Sequence, residues 1–163
     1  MKAWYTTHKS TLNNNDGRKI VVGKTHQIIR PILLCSRGLH ASERLSDSLR
    51  YGAKLNRKGK FSIYRVELSG ETVIGSDKLA AERRKYLYKV DLDNSTIAGH
   101  IEDIVLEGIT KDQLKSFYNY SKVFGTSIYN LLNFTIYDMT ERTSKKLEQV
   151  IKKYYNYEET GRW

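Results

Sequence analysis

The chain is short of the residues that cross-link or punctuate a fold. Its 163 residues include one cysteine, Cys35, and one proline, Pro31. A single thiol excludes an internal disulfide framework and, left unpaired, suits a reducing compartment, so a cytoplasmic location is expected. No segment approaches the roughly 18 consecutive apolar residues that a membrane span requires. Residues 1–10 carry Lys2, His8 and Lys9 and lack the apolar core of a signal peptide, so the sequence reads as soluble with no membrane partner. Gly/Ser-rich linkers, low-complexity tracts and internal repeats are missing, which leaves no place to cut the chain and predicts one domain over 1–163. P-loop, dinucleotide and Gly-x-Ser-x-Gly fingerprints are also missing, which argues against those enzyme classes. The four histidines, His8, His26, His40 and His100, are scattered, and with one cysteine they lack the spacing of a metal site.

What the sequence does have is positive charge, unevenly placed. Residues 1–60 hold thirteen Lys/Arg against three acids, a net of +10, while the remainder carries fifteen of each sign. Such a field concentrates polyanions near one part of the molecule. The partner it implies is nucleic acid or an acidic host protein. Lys54, Arg57, Lys58 and Lys60 form the densest cluster and are candidate phosphate contacts. Twelve tyrosines and two tryptophans add aromatic surface, which in most folds is core and in some a nucleobase platform.

Periodicity changes near residue 95. Before it, β-branched and aromatic runs predict strands at Ala3–Thr7, Lys19–Val22, Ile32–Cys35, Phe61–Leu68 and Lys85–Leu92, with a helix over Leu45–Leu55 capped by Ser42 or Ser46. In the last run Tyr86, Tyr88, Val90 and Leu92 alternate with polar residues, the mark of a half-buried strand. Beyond residue 95 the period is helical. Ile97, Ile101, Ile104 and Val105 share a face with Ser95 as cap. Thr110 and Gln113 have capping-box spacing, with Gly125 as a stop. Leu147, Val150, Ile151, Tyr154 and Tyr155 form an amphipathic stripe. Residues 126–138 fit helix or strand equally. The fold class expected is α+β: a small, twisted, mostly antiparallel sheet with helices, a strand-rich basic part over 1–94 and a mainly helical part over 95–163.

Two resemblances bear on function. Leu34-Cys35-Ser36-Arg37-Gly38-Leu39-His40-Ala41, followed by a helix and then by Val66-Glu67-Leu68-Ser69-Gly70, resembles an uncharacterised domain of phage and bacterial proteins with a Leu-Cys-x-x-Gly-x-His-Ala motif. That likeness covers roughly residues 1–92 and implies a phage or mobile-element origin. More distantly, the order Trp4-Tyr5-Thr6-Thr7-His8, Gly38-Leu39-His40-Ala41-Ser42, the helix ending at Ala53, the strand Phe61–Leu68 and then Glu82 looks like the NAD-using ADP-ribosyltransferase fold. Lys9 stands where that fold usually has glycine, and His40 where it usually has tyrosine.

The second resemblance implies a mechanism. Transfer from NAD breaks a glycosidic bond through an oxocarbenium-like state that a carboxylate must stabilise. Glu82 would be that group, with His40 and His8 as its catalytic companions. His8 would hold a ribose hydroxyl or amide oxygen, His40 and Ser42 would line the nicotinamide end, and Tyr5 or Tyr51 would stack on the ring. Each residue also has a plainer reading: Glu82 as a solvated helix charge, His40 as a hydrogen-bonded structural histidine, His8 as a surface residue. Cys35 reads as core at the end of an apolar run, or as a nucleophile paired with His40. The functions expected are therefore a phage-type accessory or counter-defence protein that binds or uses NAD or another nucleotide, or a noncatalytic binder of nucleic acid or a host factor.

Overall fold

The computed structural model describes residues 1–9, 17–55 and 59–160, with side chains described to residue 52 in the first helix and to residue 156 in the last. Its backbone contacts divide into two compact units: Met1–Asn56 with Phe61–Val90, and Arg57–Lys60 with Asp91–Trp163. The break after Val90 lies close to the change of period in the sequence. The class is mixed α+β, with the helices concentrated in the C-terminal part.

The first unit is a five-stranded antiparallel sheet with one helix. Its elements are β1 Lys2–Thr7, β2 Thr25–Gln27, β3 Leu39–Ala41, α1 Leu45–Leu55, β4 Ser62–Ile74 and β5 Leu79–Val90. The order is β1-β4-β5-β2, with β3 also on β5. β4 and β5 form the spine, a long hairpin closed by the Gly75 N–H on the Lys78 carbonyl at 2.8 Å. Thirteen- and twelve-residue strands exceed the expected runs because Leu79–Arg84 joins the ladder. Ala80, Ala81, Glu82, Arg83 and Arg84 are helix formers by propensity, and pairing with β3, β2 and β4 overrides it.

Two expected strands take other forms. After Lys19–Val22 the chain turns, the Lys24 N–H reaching the Val21 carbonyl at 3.1 Å, and only then pairs as β2. Ile32–Cys35 enters a turn closed by a Leu33–Arg37 bridge; Ile32 alone is buried, and Pro31 has no N–H to give a ladder. Neither serine caps α1. The backbone of Ser42 pairs with Trp4, Ser46 lies inside the helix, and the Arg44 carbonyl takes the Ser48 N–H.

One face of the sheet is dry. Ala3, Tyr5, Tyr64, Val66, Leu68 and Tyr86 belong to its buried cluster. Two irregularities in the β4–β5 register shape that face, one at Arg65/Val66 and one between Ser69 and Thr72. The second is a bulge in which Gly70 adopts φ +78, a conformation L side chains avoid. A Cβ on Gly70 would also stand 2.6 Å from Glu82 Oε2. Both facts require glycine there.

The second unit holds α2 Ser95–Gly108, α3 Lys111–Phe124, α4 Ile128–Thr135 and α5 Glu141–Thr160. Asn94, not Ser95, caps α2, its side chain accepting from the N–H groups of Thr96 and Ile97. The Thr110–Gln113 capping box and the Gly125 stop of α3 form as the spacing predicts. Of residues 126–138, Ile128–Thr135 form helix α4, capped by Ser127 accepting the Asn130 N–H, and a turn follows in which the Asp138 N–H reaches the Thr135 carbonyl. α2 packs on α5 through Ile97, Ile101 and Val105 against the Leu147–Ile151–Tyr155 stripe. Phe117, Tyr120, Phe124 and Phe134 cluster between α3 and α4. No described helix is long and apolar enough to cross a membrane.

Two substitutions test this packing in urea melts. Gly70→Ala is expected to cost about 1–3 kcal/mol, because the bulge forces a positive φ on a residue with a Cβ. Ile101→Ala, at a fully buried position, should cost about 2–5 kcal/mol through the cavity it leaves.

Candidate functional site

The residues singled out in the sequence fall into two groups on the sheet of the first unit. Glu82 lies on β5, not on a helix, and only 6% of its surface is exposed. Its Oε2 accepts from Arg30 Nε and Nη2 at 3.1 and 2.9 Å and from the Glu71 N–H at 3.2 Å. Its Oε1 accepts from Gln27 Nε2 at 3.1 Å and Arg83 Nη1 at 3.3 Å. Arg30, then the Glu71 N–H, hold the Glu82 carboxyl below the usual carboxylate range. It is an ionised latch joining β5 to the bulge and to the segment after β2, with each oxygen already accepting at least two hydrogen bonds.

His40 sits on β3 opposite Ala80, so Glu82, two residues farther along β5, falls on the same side of the pleat. None of the contacts of Glu82 is to His40 or His8. Burial pushes the His40 imidazole down, and the nearby Lys78 and Arg84 cations push it further, so it stays neutral to lower pH than an ordinary histidine. Its Nε2 is enclosed without a hydrogen-bond partner. His8 follows the end of β1 with its Nδ1 enclosed and unpartnered, and joins neither group.

Arg84, which the sequence reading passed over, organises the second group. It is 2% exposed, with Nε and Nη2 donating to the Tyr86 hydroxyl at 3.1 and 2.7 Å and Nη1 to the His40 carbonyl. The guanidinium lies 3.7 Å from the centroid of the Tyr5 ring. No carboxylate is among its partners, so hydrogen bonds and ring faces compensate the buried charge. Tyr5 is therefore core, with Arg84 on its ring, and not an open stacking platform. The signal for Arg84 was present: it stands two residues before Tyr86 on a strand whose alternation, extended backwards, puts both on the dry face.

Ser42 is buried beside β1, and Tyr51, on α1, donates to Asp77 Oδ2 at 2.7 Å with Lys78 over its ring. Lys78 also touches Cys35, linking Tyr51 to the neighbourhood of His40. Cys35 is exposed, not core, and holds φ 71. Lys54, Arg57 and Lys58 lie outside the described side chains. Lys60 belongs to the second unit, where it pairs with Asp93 at 2.9 Å.

The opposite face of the sheet is covered at one end by α1, where the Ser48 hydroxyl lies 2.9 Å from that of Thr6 and Trp4 and Ile63 are buried, and is open and polar beyond it. One cross-strand row reads Lys2, Glu67, Lys85, Thr25, and the next reads Ser69, Arg83, Gln27. All are exposed except Arg83, which is half-buried, and Lys24 is exposed beside them. Lys2, Lys24 and Lys85 make no ion pair among the described residues. The first unit as a whole has sixteen Lys/Arg against seven acids, whereas the second has twelve against eleven.

Comparison with protein-family models, with curated proteins and with solved structures finds no match in any of the three. The geometry alone therefore carries the functional argument.

Two measurements check it. Arg84→Ala should lose about 2–4 kcal/mol, from a cavity and two unpaired acceptors, and Arg84→Met less, because it refills the space. Glu82 stabilises the fold fully above the ordinary carboxylate range, and that contribution disappears as pH falls through its depressed folded value. Glu82→Gln should accordingly flatten the acid limb of the stability–pH profile.

Proposed function

We propose that the chain is a noncatalytic binding protein of the phage accessory type, which holds nucleic acid by its phosphate backbone on the open sheet face of the first unit. The observation that carries this reading is the exposed Lys2–Glu67–Lys85–Thr25 row with Lys24 beside it, three cations without an ion pair among the described residues against one carboxylate, on the stretch of that face beyond α1. Sheets that read single-stranded bases display aromatic rings on the exposed face. Here the rings of Tyr5, Tyr64 and Tyr86 are on the buried side, Trp4 on the other side is itself buried under Arg65, and the exposed stretch offers lysine and short hydroxyls. That chemistry suits phosphates and reads no sequence. An acidic host protein would meet the same cations, and competition with duplex DNA separates the two partners.

A second reading, an ADP-ribosyltransferase-like use of NAD, draws support from His40 and Glu82 falling on one side of the β3–β5 pleat. In it Glu82 would have to release Arg30 or Gln27 to reach a ribose hydroxyl. Incubation with labelled NAD tests it: absence of transfer, hydrolysis and any NAD-dependent thermal shift removes it.

For the main reading, fluorescence anisotropy with a short labelled duplex should give an affinity that falls steeply with salt. Lys2→Glu, Lys24→Glu and Lys85→Glu combined should weaken it at least about tenfold and reduce the salt slope by about 2–3. An unchanged affinity in a variant that melts normally would sink the proposal.

A further inference from the structure

A cavity of about 420 Å³ lies within the second unit, at the start of α4. Leu92, Phe124 and Ile128 give it apolar walls, and Lys60, Asp93 and Tyr129 supply its charged and polar groups. Asp93 Oδ1 receives both the Lys60 ammonium at 2.9 Å and the Tyr129 hydroxyl at 3.2 Å. The Lys60 ammonium stands 5.6 Å from the centroid of the Tyr129 ring. Burial and the neighbouring Asp93 push the Tyr129 phenol up to about 12, so it remains a hydrogen-bond donor throughout the physiological range.

We propose that this cavity binds a nucleoside monophosphate, with the base between the apolar walls and the phosphate on Lys60. The volume falls in the range of small-ligand sites, which combine mostly apolar walls with a few placed polar groups. Phe124 and Ile128 offer surface to a flat ring. Lys60 keeps 72% of its side chain exposed and is held by an exposed ion pair, a weak arrangement that a dianion outcompetes. The cavity also borders the first turn of α4, where Ser127 takes the Asn130 N–H and the helix's leading N–H groups have no acceptor of their own inside the helix. A phosphate replacing Asp93 as the partner of Lys60 meets these donors, while Tyr129 keeps Asp93 in place. Asp93 thereby acts as an internal competitor for the cation, and that role fixes the sign of the test.

The test is titration of the full chain with AMP, CMP, GMP and UMP, followed by calorimetry and by amide shifts in ¹⁵N-labelled protein. Inorganic phosphate and the four nucleosides serve as controls. Saturable binding of at least one monophosphate is expected, with shifts at Ile128 and Tyr129 and weaker binding of phosphate alone and of the nucleoside alone. Lys60→Met should weaken it by about tenfold, the worth of a charge-assisted contact, and Asp93→Asn should tighten it. Thermal melts verify that both variants fold. The combined Lys2, Lys24 and Lys85 reversal should leave monophosphate binding unchanged, so this site and the sheet face fail or stand separately. The proposal is overturned by no saturable binding at millimolar nucleotide, by an affinity indifferent to Lys60→Met, by weakening in Asp93→Asn, or by inorganic phosphate binding as well as the nucleotide.

Discussion

The register of β4 against β5 is the constraint on which the first unit depends. Alternation on that ladder sends Val66, Leu68, Arg84 and Tyr86 to one side and Glu67, Ser69, Arg83 and Lys85 to the other. A slip of one residue would exchange the two sets, burying lysines and exposing tyrosines. The bulge at Gly70 pins the register: its positive φ admits few residues, and the Glu82 carboxylate accepts the Glu71 N–H beside it. Arg30 and Gln27 then tie the same carboxylate to the segment around β2. One ionised side chain thus couples the bulge, the ladder and an edge strand.

That coupling bears on chemistry. A carboxylate that stabilises a developing cation needs an oxygen facing the reacting centre. Both oxygens of Glu82 face protein donors. The sequence marks the residue as unusual, a lone acid followed by Arg83, Arg84 and Lys85, and the structure gives that pattern a use in packing: Arg83 serves the latch and Arg84 the aromatic cluster. A nucleotide at this place would have to exchange with Arg30, which is mostly exposed and so the most readily displaced of the partners.

The helical part was legible in the sequence because its signals are local. A capping box, a glycine stop and an i, i+3, i+4 stripe each depend on neighbours within one or two turns, and Thr110, Gly125 and Leu147–Tyr155 behave accordingly. The sheet was legible where β-branched and aromatic residues cluster, as at Ala3–Thr7 and Phe61–Leu68; the alternation expected through Tyr86 and Tyr88 is interrupted by the register shift that sets them against neighbouring Val66 and Arg65. β2 is three residues long, and its neighbours β3 and Leu79–Arg84 contain small or charged residues whose pairing is decided by distant strands. The candidate site suffered in the same way. His40 and Glu82 were visible as residue types, but Arg84 and the polar rows of the open face became visible only with the register. Local composition marked Lys54–Lys60 as the basic centre, whereas the cross-strand rows place cations from β1, the turn before β2 and β5 side by side.

The charge asymmetry follows from the same geometry. The dry face is filled largely by aromatic and aliphatic residues from β1, β4 and β5, and between the two register irregularities alternation sends Glu67, Ser69, Arg83 and Lys85 outward. Natural sheets blunt an open face or edge with charge, and lysine serves that purpose without any ligand. Protection against association requires charge of either sign, or both interspersed. The rows instead hold Lys2 and Lys85 against Glu67, with Arg83 already paired to Glu82, and the first unit is left with a net of +9 beside a second unit at +1. A bias confined to one sign and one unit costs self-repulsion in the folded state. The anionic partner proposed above would offset that repulsion on binding.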